Sequence, residues 1–338
     1  MIRFEEQADH EKGFSKLWEK HIAPVFDDYR ATYYRTRRKG RVTAALGLAG
    51  TLISMLFLGR FGAAVLLFPV VAMVAFFMVL RSFAPLLKAQ AEISERFTAA
   101  GNEHFRNDLI PIDRRSALQD IFDGLADEGM APREAARIGA AYTSIDGSDQ
   151  FFNAAVRRET TSYQPDNMSD ENHTGQTTQR TFRYDHYLII QLQLAKPVKT
   201  PIRIMPDQRI GKIFTKITKN WSRVKLENAA FEKHFNAYCD EENVLRDMMR
   251  EEVQAAFASM RDYYSKNQPR LKGKAQIYCL IKGIEMSFVF FDLDNVAGTK
   301  LAGKTPEKLI EAAHTGLARM AEMLWLAKTY RALIPQLR

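Results

Sequence analysis

The clearest chemical motif in the sequence follows an apolar stretch near the C-terminal end. Gly298, Gly303, Lys304 and Thr305 fit the pattern of a phosphate-binding loop, in which backbone N–H groups and a lysine hold nucleotide phosphates at a helix N-terminus. Such a loop lies in a parallel sheet, and later strands supply an aspartate that binds magnesium. The residues after Thr305 predict only helix, so we expect a lookalike and no nucleotide cofactor.

Other catalytic patterns are weaker. Asp292 and Asp294 resemble the nucleophile motif of haloacid-dehalogenase-type phosphatases, but the later motifs of those enzymes are missing. The histidines show no zinc-binding spacing, and the isolated Cys239 and Cys279 are typical of buried thiols. The sequence therefore predicts no catalytic residue, no cofactor and no metal site. It favours a non-enzymatic protein without excluding an enzyme.

A strongly basic stretch offers a binding surface. From Lys196 to Lys225 the chain has nine lysines and arginines and one acid, Asp207. Apolar residues from Ile210 to Trp221 fall on one helical face, as in helices that lie on membranes. The residues expected to contact anionic lipid are Arg209, Lys212, Lys216, Lys219, Trp221 and Arg223. An equally weighted alternative is that this face packs on its own domain. Few aromatics are available for base stacking, which disfavours nucleic acid as a partner.

Two long uncharged runs lie near the N-terminus. Val42–Leu58 and Phe61–Leu80 contain no charged residue, and a helix needs about 20 apolar residues to cross a hydrocarbon core of about 30 Å. Gly59 and Arg60 fit a tight turn between them, which predicts a transmembrane hairpin. Basic residues flank both outer ends of the hairpin, so the positive-inside rule places both termini in the cytoplasm.

The hairpin divides the sequence into four expected parts. They are a cytoplasmic amphipathic helix at residues 1–41, the transmembrane hairpin at 42–81, a helical stalk with connecting helices at 82–145, and a cytoplasmic domain at 146–338. The first helix should be interrupted near Pro24. Connecting helices are expected at Ser116–Glu128 and at Pro132–Tyr142, where a proline stands in the first turn.

The last part alternates between strand and helix patterns. Strands are expected at Phe151–Arg158 and Arg183–Leu194, with a mobile loop at residues 160–181 between them, and a short strand at Val224–Leu226. A hairpin through Lys282-Gly283-Ile284 should join Ala275–Ile281 to Glu285–Phe291. Helices are expected at Asp240–Tyr264 and from Pro306 to about Tyr330. This pattern predicts an α+β fold with antiparallel strands and flanking helices.

One stretch of this domain resembles a family of uncharacterised bacterial membrane proteins. In that family a VRLES-x-x-FEKxFxVYxxD stretch lies in a cytoplasmic α+β domain behind an N-terminal transmembrane hairpin. The matching positions are Val224, Leu226, Glu227, Phe231, Glu232, Lys233, Phe235, Tyr238 and Asp240. The sequence departs from the pattern at Asn228 and in the charged run DEEN at residues 240–243. The resemblance implies an architecture and a place in the bacterial inner membrane, and it implies no catalytic residue.

These observations favour a membrane-anchored cytoplasmic binding or scaffold protein. Its expected partners are the lipid bilayer, anionic lipid headgroups and proteins. The protein partners include a second copy of the chain. The alternative is a membrane-tethered enzyme or binder that acts on a nucleotide or another phosphate-bearing ligand.

Overall fold

The chain forms two compact units, and a computed structural model describes residues 4–58, 67–112, 115–164, 177–207, 221–267, 276–291 and 305–334. The first unit comprises Met1–Arg106 and Thr299–Ala318, and the second comprises Asn107–Gly298 and Arg319–Arg338. The helices are α1 (Phe14–Leu17), α2 (Ala23–Leu58), α3 (Leu67–His104), α4 (Arg115–Asp127), α5 (Ala229–Glu232), α6 (Glu242–Met248), α7 (Glu251–Asn267) and α8 (Pro306–Leu333). The strands are β1 (Leu109–Pro111), β2 (Ala136–Ser144), β3 (Asp149–Gln164), β4 (Thr177–Pro206), β5 (Arg223–Val224), β6 (Phe235–Tyr238) and β7 (Gln276–Phe291).

Aromatic side chains hold the N-terminal segment in the first unit. Phe14 and Trp18 are almost completely buried, and the rings of Phe4 and Phe14 meet edge to face with centroids 5.0 Å apart. The expected interruption near Pro24 is a π-helical turn, Trp18–Ile22, that ends just before α2. Because proline has no N–H and its ring crowds the preceding turn, the regular hydrogen bonds break there.

A buried carboxylate, Glu11, joins this segment to the first part of α8. Its Oε2 accepts a hydrogen bond of 2.6 Å from the backbone N–H of Gln7. Its Oε1 lies 2.6 Å from Nδ1 of His314, whose ring stacks on Phe4. Burial alone would raise the pKa of Glu11, but the bonds with Gln7 and His314 outweigh it and hold the pKa below the ordinary value.

The two uncharged runs fall in α2 and α3. Val42–Leu58 forms the C-terminal part of α2, and residues 67–80 form the beginning of α3. In the part of the chain that the structure describes, no helix is both long enough and apolar enough to cross a bilayer. The transmembrane hairpin expected at residues 42–81 therefore stays a prediction, and its turn at Gly59 and Arg60 lies outside the described ranges.

The second unit is built on an antiparallel sheet. Within the described ranges the strand order is β1-β2-β3-β4-β6-β5, and β7 pairs with the other edge of β4. Alternate residues of a strand point to opposite faces. On one face Val289 packs with Phe122 and Leu125 of α4. On the other face Phe288 lies against Phe257 of α7, with ring centroids 5.6 Å apart. The expected α+β class is confirmed.

Several expected elements are present with changed boundaries. The helices expected at Ser116–Glu128 and from Pro306 are confirmed as α4 and α8. The single helix expected at Asp240–Tyr264 is two helices, α6 and α7, with a break at Met249 and Arg250. The helix expected at Pro132–Tyr142 is wrong. Residues 136–142 belong to β2, because pairing with β3 outweighs the helix propensity of an alanine-rich segment.

The strands also run further than expected. β3 and β4 continue into the segment 160–181 as far as the pair Gln164 and Thr177, and residues 165–176 lie outside the described ranges. The hairpin expected at Lys282-Gly283-Ile284 is wrong. Both of its halves belong to β7, which runs along β4 without reversing.

Candidate functional site

A bulge between β4 and β7 creates the most distinctive feature of the sheet. The two strands pair regularly from Tyr187 and Phe291 to Gln193 and Glu285, and pairing in a steady register resumes at Ile202 and Ile281. Between these points, residues 194–201 of β4 lie opposite residues 282–284 of β7. Gly283 has a φ of 60°, in the left-handed region that glycine adopts without strain. The bulge therefore exposes four residues inside an otherwise buried strand.

A cleft lies between this bulge and α4. Its volume is about 510 Å³, within the range of roughly 300–1,000 Å³ that is usual for ligand pockets. Ile121 and Leu125 form the wall on α4, and Leu280 and Ile284 form the wall on β7. Gly124 also lines the cleft, and a Cβ at that position would meet nothing within 4 Å. The apolar walls suit a ligand with an apolar body.

The floor of the cleft is polar. Gln191 of β4 and Ser287 of β7 are cross-strand neighbours, and they are only 5% and 3% exposed. Buried polar groups in proteins almost always have a hydrogen-bond partner. Neither side chain has such a partner in the described part of the chain, although both line the cleft. Their donors and acceptors are thus available to a bound molecule.

One carboxylate at the cleft is neutralised by the protein itself. Glu128 follows α4 and accepts a hydrogen bond of 2.6 Å from Nζ of Lys282. It also accepts hydrogen bonds from Nε of Arg203, at 3.2 Å, and from Nη2 of the same guanidinium. Burial alone would raise the pKa of Glu128, but the bonds from Lys282 and Arg203 outweigh it and lower the pKa. These three side chains tie the bulge to the end of α4.

Two further carboxylates at the cleft have no cationic partner. Asp120 on α4 and Glu285 on β7 both line it, and neither makes an ion pair with any residue in the described ranges. Partial burial against the cleft raises the pKa of Glu285, with no hydrogen bond to oppose the shift. Lys282 is the one cation that lines the described cleft, and it is bound to Glu128. The cleft is therefore acidic in a chain whose net charge is +8.

The residues of the phosphate-loop pattern lie mostly outside the described ranges. This is the case for Gly298, Gly303 and Lys304, whereas Thr305 stands directly before α8. Thr305 contributes its backbone oxygen to the first turn, where it accepts a hydrogen bond of 3.0 Å from the N–H of Lys308. In the described sheet every strand pair is antiparallel, which differs from the parallel setting of phosphate-binding loops.

Two of the expected lipid-contact residues can be placed. Trp221 lies under the guanidinium of Arg203, 4.2 Å from its ring centroid, and its ring meets that of Tyr238 at 6.0 Å. Arg223 pairs with Glu232 at 3.1 Å. For Trp221 these contacts favour the alternative that it packs on its own domain. The other candidates, Arg209, Lys212, Lys216 and Lys219, lie outside the described ranges.

Sequence reasoning missed the cleft. A signal was present, because Gln191 and Ser287 interrupt apolar strands, and Lys282 to Glu285 is a polar break within one. By local sequence alone, that break predicts a hairpin turn. The pairing of Gln191 with Ser287 depends on the register of two strands that are far apart in sequence, which alternation within each strand does not reveal.

The geometry defines an α+β protein with one antiparallel sheet and an acidic cleft beside its bulge. Over residues 188–295 the chain is similar to a family described as protein of unknown function, DUF3137. This range includes most of β4, all of β7 and the stretch that resembles the uncharacterised membrane proteins. No curated protein and no solved structure shows significant similarity to the chain.

Proposed function

We propose that the chain is a membrane-anchored cytoplasmic binding or scaffold protein, and that the cleft beside α4 holds its partner. The observation that carries the binding role is the cleft floor, where Gln191 and Ser287 are buried without a partner in the described part of the chain. Their polar atoms are not among those shut off from solvent, so they are open to the cleft, and a bound molecule that replaces water there gains about 0.5–1.5 kcal/mol for each hydrogen bond.

The membrane anchor in this proposal rests on the sequence. Val42–Leu58 and Phe61–Leu80 are two uncharged runs in succession, and in water such runs would expose a large apolar surface. The basic residues on their outer sides support a cytoplasmic location for the domain. A bilayer and one or more proteins are thus the partners that we propose.

Filling the cleft tests the binding role. Gly124→Phe places a ring in the open space of the cleft, while Gly124→Ala leaves the cleft open and favours the helix by up to about 1 kcal/mol. We expect proteins that co-purify with the tagged wild-type chain from detergent-solubilised membranes to remain with Gly124→Ala and to be lost with Gly124→Phe. Equal recovery with all three proteins, each shown to be folded by its thermal unfolding, would contradict the proposal.

The alternative is a phosphate-bearing ligand, bound through Gly298 to Thr305. The cleft adds no support for it, because three carboxylates and one ammonium line the cleft and would repel phosphate there. A nucleotide-binding assay on the wild type and Lys304→Ala tests this alternative. Saturable binding that is lost in the variant would favour a nucleotide-binding function over the proposed binding role of the cleft.

A further inference from the structure

The chemistry of the cleft narrows the class of its partner. Its lining carboxylates are Asp120, Glu128 and Glu285, and the one ammonium, from Lys282, is already bonded to Glu128. A cation entering the cleft would meet Asp120 and Glu285, neither of which has another cation to neutralise it in the described ranges. Charge complementarity therefore selects a positively charged group.

The walls and the floor indicate what carries that charge. A bare metal ion needs several oxygen ligands and no apolar surface, and the described residues contain no cluster that could hold a metal. Ile121, Leu125 and Leu280 instead suit the methylene stem of a lysine or an arginine, which packs on apolar surface while its head remains polar. The amide of Gln191 both donates and accepts hydrogen bonds, as a peptide group requires.

We propose that the cleft binds a lysine or arginine side chain presented by a basic segment of a partner protein, an inference that rests on the proposed binding function. The cationic head lies between Asp120 and Glu285, and the stem lies between the walls on α4 and β7. Gln191 and Ser287 bond to the backbone beside the inserted side chain. The volume of about 510 Å³ accommodates that side chain together with its flanking backbone.

The test uses the full chain in lipid nanodiscs and a fluorescein-labelled peptide of alternating lysine and alanine. We expect saturable binding by fluorescence anisotropy, and no binding of the same peptide with glutamate in place of lysine. Asp120→Asn combined with Glu285→Gln should weaken binding at least about tenfold, since two charge-assisted hydrogen bonds are lost. The nanodiscs are made of uncharged lipid, so that the basic peptide is not attracted to the bilayer itself.

Asp123→Asn is the matched control. Asp123 lies on α4 close to Asp120 and is exposed like it, but it accepts a hydrogen bond from Gln119 and does not line the cleft. An equal loss of affinity in this variant would show a general charge effect and overturn the proposal, as would unchanged affinity in the double variant. Competition by cadaverine at the same amine concentration as the peptide would also overturn it, by assigning the cleft to free amines.

The outcomes separate this inference from the function that it rests on. If the lysine peptide does not bind, but Gly124→Phe still loses its co-purifying proteins, the cleft binds a partner of another chemistry. If both experiments are negative, the binding role of the cleft fails as well.

Discussion

At the scale of single residues, Glu128 joins two cations, Arg203 and Lys282, beside the cleft. Its side chain is 17% exposed and that of Arg203 is 13% exposed, whereas that of Lys282 is 56% exposed. The Arg203 pair is therefore shielded from water, and the Lys282 pair is screened by it. Most of the stabilisation should come from Arg203, whose guanidinium is also stacked on Trp221.

Glu128→Gln tests this assignment. We expect the free energy of unfolding of the second unit to fall by about 1–3 kcal/mol near neutral pH, because Arg203 loses its counterion. Lys282→Ala should cost less, about 0.5 kcal/mol, since a screened pair contributes little. Urea unfolding monitored by tryptophan fluorescence gives both values. A larger loss in Lys282→Ala than in Glu128→Gln would contradict the assignment.

The pH dependence of this effect has a defined sign. The pKa of Glu128 is lower in the folded protein than its ordinary value of 4.5. The carboxylate therefore contributes its full stabilisation above pH 4.5, and this contribution is lost as the pH falls through the folded-state pKa. Wild type and Glu128→Gln should accordingly converge in stability as the solution is acidified.

At the scale of elements, Gly283 shows how one glycine lets β7 continue along β4 opposite the bulge at residues 194–201. Lys282-Gly283-Ile284 has the composition of a hairpin turn, and a turn is what local sequence predicts. The chain instead continues, because Glu285–Phe291 is long enough to extend the pairing along β4 and to bury alternate residues on both faces. The positive φ of Gly283 absorbs the change in register.

Gly283→Ala tests the free-energy cost of placing a residue with a side chain in the left-handed backbone conformation of position 283. A Cβ at Gly283 would meet nothing within 4 Å, so there is no clash to relieve. The variant should still lose about 1–2 kcal/mol of unfolding free energy, because a side chain disfavours the left-handed region. Gly283→Asn should lose less, since asparagine tolerates that region better. Chemical denaturation of the three proteins checks this order, and equal stabilities would contradict it.

Other elements show where local sequence succeeds and where it does not. α4 and α8 could be predicted because their apolar residues recur at helical spacing beside a start signal, such as Pro306. β2 could not, since its alanines favour a helix and only the partner strand β3 overrides them. β6 is four residues long, too short to show a periodic pattern.

At the scale of the whole molecule, the proposed anchor makes a direct prediction. The full chain should sediment with membranes after ultracentrifugation and resist extraction by alkaline carbonate, which releases peripheral proteins. A chain lacking residues 42–81 should not resist it, because no uncharged run of comparable length remains. Recovery of the intact chain in the carbonate supernatant would contradict the anchor, and the cleft proposals would stand without it.

The long strand β4 has a consequence for synthesis of the chain. One edge of β4 pairs with β3, which leaves the ribosome earlier than β4 does. The other edge, at residues 187–193, has no partner until β7 has been synthesised. Until residue 291 has emerged, this edge presents free N–H and C=O groups beside the apolar side chains of Leu188, Ile189 and Ile190. Such an edge pairs readily with another nascent chain. Premature termination before β7 should therefore yield aggregates, because the sheet closes on this side only after residue 291 has emerged.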